Sequence, residues 1–135
     1  MRRRFLVALA IALPGLLACN GSATEPDLSG TWGGQHLELV VTAEGATFEF
    51  DCAHGVIDRS FLADARGQFE IDGRYVQEHG GPVREGEPPD EHPARYAGRI
   101  DGRTMELTVT LLDSGATIGT YTLTRGKTGF VVKCL

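Results

Sequence analysis

The sequence predicts an all-β fold: a single antiparallel barrel or sandwich of about eight short strands. Three observations predict it. Apolar and polar side chains alternate with a period of two along most of the chain, short glycine-containing turns separate the alternating segments, and no segment has helical periodicity. A barrel is attractive because closing the sheet removes exposed strand edges.

The strands follow from the alternating segments in chain order. The first opens at Ser29-Gly30-Thr31-Trp32-Gly33-Gly34 and continues through the alternating Leu37, Leu39 and Val41. The other seven predicted strands are 47–52, 56–62, 68–75, 95–101, 104–111, 117–125 and 130–135. Glycine supplies the positive φ that tight connections need. The predicted turns are Glu44-Gly45, Arg66-Gly67, Asp101-Gly102, Ser114-Gly115 and Lys127-Thr128-Gly129.

The inward-facing side chains predicted from this alternation are large and apolar. They are Phe48, Phe50, Phe69, Ile71, Met105, Leu107 and Val109. A small eight-stranded barrel has room for its own side chains or for one small ligand. Both a filled and a hollow interior therefore remain open at this point.

One connector is long, and it carries the candidate contact residues. Residues 78–93 include four prolines, which predicts a loop rather than a strand interior. Binding residues collect on such loops when a rigid scaffold holds them. The candidate partner contacts are His79, Arg84, Glu85, Glu87, Asp90, Glu91 and His92. The alternatives are a tolerated insertion or a zinc or copper site, but no helix or hairpin enforces a ligand spacing, and we predict no metal or other cofactor.

The first nineteen residues indicate export. Three arginines at positions 2–4 precede an apolar run over 5–17, which has the length of a signal-peptide core and is too short to span a bilayer. Leu16-Leu17-Ala18-Cys19 resembles the lipobox of bacterial lipoproteins. The resemblance implies that residues 1–18 are a signal peptide and that Cys19 carries palmitate and related lipid. The polar, turn-rich composition that follows predicts a tether over 19–29, and the alternating segments make 30–135 the β-domain. An ordinary secretory signal is the alternative.

The location and charge narrow the range of partners. Lipoproteins of this kind are membrane proteins of the bacterial envelope. An aspartate after the lipidated cysteine resembles an inner-membrane retention signal, but here that residue is Asn20. We therefore expect the outer membrane, with the domain facing the periplasm or the surface. Removing three arginines leaves 10 basic and 18 acidic side chains, a net charge of 10 − 18 = −8. Such a chain offers no basic patch for nucleic acid and would be repelled by anionic headgroups, so the lipid is the expected membrane contact.

Two cysteines, Cys52 and Cys134, remain in the exported domain. An oxidising compartment favours a disulfide between them, while a metal site or a reactive thiol is the competing interpretation. Alternation places Cys52 with Phe48 and Phe50, and Cys134 with Phe130 and Val132. In a simple meander the second and eighth strands are separated by the first. A bond between them needs either a C-terminal segment folded over one end or a two-sheet sandwich.

Two further resemblances concern the domain itself. Gly30-Thr31-Trp32 resembles the Gly-x-Trp opening of lipocalin and avidin barrels. The resemblance implies that Trp32 closes one barrel end and that a late basic residue, here Arg125, packs over its ring. The segment Phe50-Asp51-Cys52-Ala53-His54-Gly55, with a cysteine one residue from the C-terminus, is similar to the small lysozyme-inhibitor lipoproteins. Their inhibitory loop motif has only a weak counterpart in this chain, at Ala94-Arg95-Tyr96-Ala97-Gly98.

No catalytic constellation emerges from the sequence, so we do not expect an enzyme. Cys52 and His54 are close in sequence, but the thiol has a better partner in Cys134, and no serine lies in a Gly-x-Ser-x-Gly elbow. The sequence therefore predicts an envelope-anchored binding module for a small apolar ligand or an envelope protein. The alternative is an inhibitor of an envelope-active hydrolase such as lysozyme.

Overall fold

The computed structural model describes Gly15 and residues 24–135, so the rest of the predicted signal peptide and Cys19 lie outside the described residues. Residues 30–125 form eight antiparallel strands in a closed barrel, which confirms the all-β prediction and selects the barrel over the sandwich. The strands are β1 (Gly30–Gly34), β2 (Leu37–Val41), β3 (Ala46–Phe50), β4 (Ala53–Ile57), β5 (Gln68–Gln77), β6 (Asp90–Asp101), β7 (Thr104–Leu111) and β8 (Thr117–Arg125). The described residues include no helix with the length and apolar content needed to cross a bilayer.

Consecutive strands are neighbours all the way round, so the connections alternate between two ends of the barrel. The chain enters β1 at one end of the barrel, which we call the tether end. The tether end also carries the connections after β2, β4 and β6. The opposite end, which we call the loop end, carries the connections after β1, β3, β5 and β7. The barrel closes where Trp32 and Gly33 of β1 pair with Arg125 and Thr124 of β8.

The prediction of a long first strand and a strand at 130–135 is wrong in both places. Gln35 and His36, the latter with φ of 67°, turn the chain between β1 and β2. Because β1 pairs with both β2 and β8, the closed sheet has no position for a further strand. Residues 126–135, which we call the strap, instead run outside the barrel. The count of eight holds because the predicted first strand is two.

The strap lies against the outer wall and then crosses the loop end. At Gly33 an added Cβ would overlap the backbone of strap residues 127–129, so the close approach requires glycine there. Phe130 donates its N–H to the Gly34 carbonyl and accepts from the His36 N–H. Phe130 and Val132 were predicted to face a core. They are 61% and 54% exposed because the strap lies outside the barrel.

The predicted inward orientation of Cys52 is also wrong. Cys52 lies in the turn after β3, with φ of 52°, and only partly buried. The predicted strand at 56–62 begins earlier, as β4, and ends at Ile57. The following residues 58–67 form an irregular segment at the tether end that buries Phe61 and Ala63 against the core.

The predicted 78–93 loop is shorter than expected, spanning 78–89, because Asp90, Glu91, His92 and Pro93 belong to β6. These four residues pair with β5, whereas the pairing of β6 with β7 starts at Ala94. The Pro93 carbonyl accepts from the Leu112 N–H, where the chain is already leaving β7. Pro93 therefore lies outside the β6–β7 hydrogen-bond ladder, which does not need the N–H that proline lacks. This position explains why a proline is tolerated inside the strand.

Aromatic side chains fill the barrel interior. The Phe48 and Tyr96 rings stack with centroids 4.1 Å apart, and the Phe50 ring lies 5.4 Å from Tyr75 and 5.5 Å from Tyr121. Of the predicted inward set, Ile71 is only partly buried and the other six members are buried. The interior is therefore a packed core in the part that these rings occupy.

Candidate docking surface at the loop end

The loop end gathers four connections and the strap into one surface, which we call the loop-end surface. Its parts are the turns 35–36 and 51–52, the loop 78–89, the turn 112–116, the adjoining strand residues, and strap residues 130–135. Since the strands are hydrogen-bonded round the whole barrel, they hold the four connections in fixed relative positions.

Exposed apolar side chains concentrate on this surface. Six large hydrophobic residues are exposed in the described chain, and Leu62 at the tether end is one of them. The other five are at the loop end: Val83, Leu112, Phe130, Val132 and Leu135. Isolated exposed apolar residues are normal, but a group confined to one end is typical of a contact surface.

The rim of the loop-end surface is acidic. The carboxylates there are Asp51, Glu78, Glu85, Glu87, Asp90 and Asp113, and the cations are Arg84 and Lys133. With neutral imidazoles this gives 2 − 6 = −4 from the side chains named. The exposed apolar side chains thus share this end of the barrel with an excess of negative charge.

All four histidines also lie at this end, each beside a carboxylate. His36 Nδ1 is 2.5 Å from Asp51 Oδ2, and His79 Nε2 is 2.8 Å from Glu87 Oε1. His92 lies between Asp113 at 2.6 Å and Asp90 at 3.0 Å, and His54 is 3.8 Å from Glu78. The surface therefore combines carboxylates with imidazole side chains that contact them directly.

The pKa values of two of these histidines shift in a defined direction. A hydrogen bond to the Gly80 carbonyl, followed by the bond to Glu87, raises the pKa of His79. The hydrogen bond to Asp113 raises the pKa of His92, although partial desolvation opposes it. Conversely, the Arg84 backbone N–H and then His79 lower the pKa of Glu87. Each pair is thus favoured in its doubly charged form.

The strap is fastened to this end by a covalent bond and by polar contacts. Cys134 forms a disulfide with Cys52, which confirms that pairing and selects the folded-over C-terminal segment as its geometry. The Lys133 ammonium lies 2.6 Å from Glu49 and 2.8 Å from Glu78, and it donates to the Ala53 carbonyl. The Val132 N–H donates to Asp51 Oδ1, the main cause of the lowered pKa of Asp51.

A cleft of about 490 Å³ opens between the 78–89 loop and the end of the strap. Its walls include Val76, Val83, Pro88, Pro89 and Cys134, and its polar lining includes Glu78, Glu87, Asp90, His54 and His79. This combination of apolar walls and several carboxylates fits an amphipathic cationic group better than a purely apolar one.

The structure brings some of the seven predicted contact residues together and separates others. His79 and Glu87 form a pair in the loop, and Asp90 and His92 form one at the start of β6. Glu91 instead points along the barrel wall, where its carboxylate lies 3.8 Å from Arg74. Arg84 and Glu85 are exposed on the loop.

At the tether end, Trp32 and Arg125 meet. Trp32 is fully buried, and its Nε1–H donates to the Leu28 carbonyl at 2.8 Å. The Arg125 guanidinium carbon lies 4.6 Å from the centre of the indole ring, and the guanidinium also donates to the Asp27 carbonyl. The two side chains and the residues before β1 cover this end of the barrel together.

Sequence reasoning missed the strap and Leu112 as surface residues. Phe130, Val132 and Cys134 alternate as a core strand would, so alternation alone placed them inside. The available signal was the excess of segments: once Gln35-His36 is recognised as a turn, eight strands already precede residue 126. The Lys127-Thr128-Gly129 run then indicates an excursion from the sheet rather than a hairpin.

The disulfide between Cys52 and Cys134 removes the Cys52 thiol as a candidate nucleophile at the loop end. Cys52 is held in the disulfide, so His54 has no thiolate beside it to activate. Within the residues that the structure describes, no three histidine, cysteine or acidic side chains converge as metal ligands. Comparison of the chain with protein-family models, with curated proteins and with solved structures found no significant match.

Proposed function

We propose that this protein is a lipid-anchored, non-catalytic binding module whose loop-end surface docks an envelope protein with a basic surface. The observation that carries the proposal is the coincidence at one end of five exposed apolar side chains and a net negative rim. Protein interfaces combine an apolar centre with a polar rim in this way. An inhibitor that docks on a basic envelope hydrolase is one form of the same proposal.

The packed interior supports an external contact over a small apolar ligand inside the barrel. A ligand would have to displace rings that already stack on each other, such as Phe48 on Tyr96 at 4.1 Å. Interiors packed to this degree resist added volume by about 1–3 kcal/mol for even a few methylenes. The favoured binding surface is therefore the outer one.

The position of the tether also supports docking at the loop end. Leu28 is packed at the tether end, and the segment from Cys19 to Leu28 is nine residues long, which spans at most about 30 Å. If Cys19 holds the lipid, the short tether keeps the tether end near the membrane and directs the loop end away from it. The docking surface then faces partners in the aqueous compartment.

Replacing residues 80–88 with a short Gly-Ser linker tests the proposal without touching β5 or β6. Wild type should recover a basic partner from envelope extracts, with recovery falling as salt rises, because screening weakens attraction between exposed charges. The loop replacement should lose that partner. Equal recovery of the same proteins by both forms would contradict docking at the loop end. The matched control, Leu62→Ser at the tether end, should bind as wild type.

A further inference from the structure

We propose that the cleft between the 78–89 loop and the strap is a specific receptor for an arginine side chain of the partner. This inference deepens the proposed function by naming the group that the partner inserts. The cleft has a volume of about 490 Å³ and walls on both sides, and this volume is within the size range of ligand sites in general.

The walls of the cleft suit the stem of a long cationic side chain. Val76 and Val83 contribute aliphatic surface, and the Pro88 and Pro89 rings add rigid apolar surface that loses little entropy when a guest packs against it. Arginine and lysine bury their methylene stems along such surfaces while the charged head remains at a polar rim. A guest without the apolar stem would leave these walls in contact with water.

The carboxylates at the cleft supply the charge complement. Glu78 is already compensated, because the Lys133 ammonium lies 2.8 Å from it. Glu87 and Asp90 have no lysine or arginine side chain as a partner in the described chain. Their partners are the imidazoles of His79 and His92, whose positive charge is lost as the pH rises through their raised pKa values. Above that pH the two carboxylates are available to a fixed cation.

The geometry favours arginine over lysine. A guanidinium donates five N–H groups in a planar fork and is weakly hydrated, so it can contact more than one carboxylate without a large desolvation cost. The Glu87 carboxylate is itself held in place, because its Oε2 accepts the Arg84 backbone N–H at 3.0 Å while Oε1 pairs with His79. A carboxylate already fixed in this way loses little freedom when a guest binds.

The test uses the mature lipidated chain in non-ionic detergent and N-acetyl-arginine-N-methylamide as the probe. Amide and methyl NMR shifts should move saturably at Val76, Val83 and His79. The isosteric neutral control, N-acetyl-citrulline-N-methylamide, should bind at least about fivefold more weakly, because it lacks the charge that Glu87 and Asp90 receive.

Variants locate the binding. Glu87→Gln and Asp90→Asn should each weaken the arginine probe by roughly threefold to tenfold, while Glu106→Gln, which removes an exposed carboxylate from the wall of β7, should leave it unchanged. Lost or unsaturable shifts, equal binding of the citrulline analogue, or equal weakening by Glu106→Gln would each overturn the proposal. The wild-type spectrum outside the cleft reports whether each variant is folded.

Failure of this proposal is distinguishable from failure of the docking proposal. If the probe does not bind the cleft but the 80–88 replacement still loses a basic partner, the receptor assignment falls and the docking surface stands. If the probe binds as expected but the replacement retains every partner, the receptor stands and the docking surface falls.

Discussion

Histidine–carboxylate pairs make the loop end sensitive to pH at the level of single residues. The pKa of His79 is raised from 6.5, so its stabilising contribution is complete below that value and is lost as pH rises through the folded pKa. The pKa of Glu87 is lowered from 4.5, so its contribution is complete above that value and is lost as pH falls through the folded pKa. Both contributions are complete between about pH 4.5 and 6.5.

A histidine NMR titration checks this assignment. His79 and His92 should both titrate above 6.5. Glu87→Gln should lower the midpoint of His79 but leave part of its shift, since the Gly80 carbonyl still accepts from Nδ1–H. His92, whose main partner is Asp113, serves as the internal control and should not move. Equal movement of both histidines, or a His79 midpoint at or below 6.5 in wild type, would show that the pair does not form.

Trp32 is the single residue on which closure of the tether end depends most. The side chain is fully buried, and its indole is covered by Arg125. Trp32→Ala should lower the free energy of unfolding by about 3–5 kcal/mol, because it removes a large buried ring and leaves a cavity. Denaturant unfolding measures this loss. The control Leu62→Ala, at an exposed position at the same end, should change stability by less than about 0.5 kcal/mol.

At the scale of elements, the strap is a fastened segment outside a sheet that closes without it. The disulfide joins positions 82 residues apart, so in the loop-entropy model it stabilises the fold by about 4 kcal/mol. Cys52→Ser with Cys134→Ser should lower unfolding stability by up to that amount while the β-sheet circular dichroism stays unchanged. Reductant should destabilise wild type and have no effect on the double variant. Two free thiols in the exported wild-type protein would contradict the assignment.

The elements themselves divide into those that sequence can predict and those that it cannot. Strands such as 104–111 were predictable because one face is buried and the other is wet, which imposes a period of two. The strap shows the same period for a different reason, since it is extended chain lying on a surface. The turn at His36 was hidden because a non-glycine residue adopts the positive φ. Pro93 was assigned to the loop because proline has no N–H to donate to a neighbouring strand. Inside β6 it is tolerated because the pairing with β7 begins only at the next residue, Ala94.

Within the candidate site, the loop was predictable and its partners in space were not. Proline and charge content predicted the loop over 78–93, of which 78–89 is loop in the structure, and the pairing of His79 with Glu87 follows from their being in one loop. The cleft depends on Cys134 and therefore on the path of the strap, which no local pattern encodes. Long-range covalent and ionic contacts, such as Lys133 with Glu49 and Glu78, fix that path.

At the scale of the whole molecule, the barrel separates two chemically different ends. The tether end carries the residues that follow Cys19, and the loop end carries the acidic rim and the apolar group. Cys19→Ala should move the protein from the membrane fraction to the soluble or unprocessed fraction, since anionic headgroups repel an acidic domain. A processed variant that still fractionates with membranes would contradict anchoring through Cys19. Wild type processed in parallel is the control.

Site-specific photocrosslinking in the native envelope tests the central claim most directly. A benzoylphenylalanine at position 130 replaces an exposed aromatic residue at the loop end, and one at position 62 replaces an exposed leucine at the tether end. Position 130 should give a discrete adduct with a basic protein, and the adduct should diminish at high salt and with the 80–88 replacement. Position 62 should give no such adduct. The same adduct from position 62, or none from position 130, would contradict docking at the loop end.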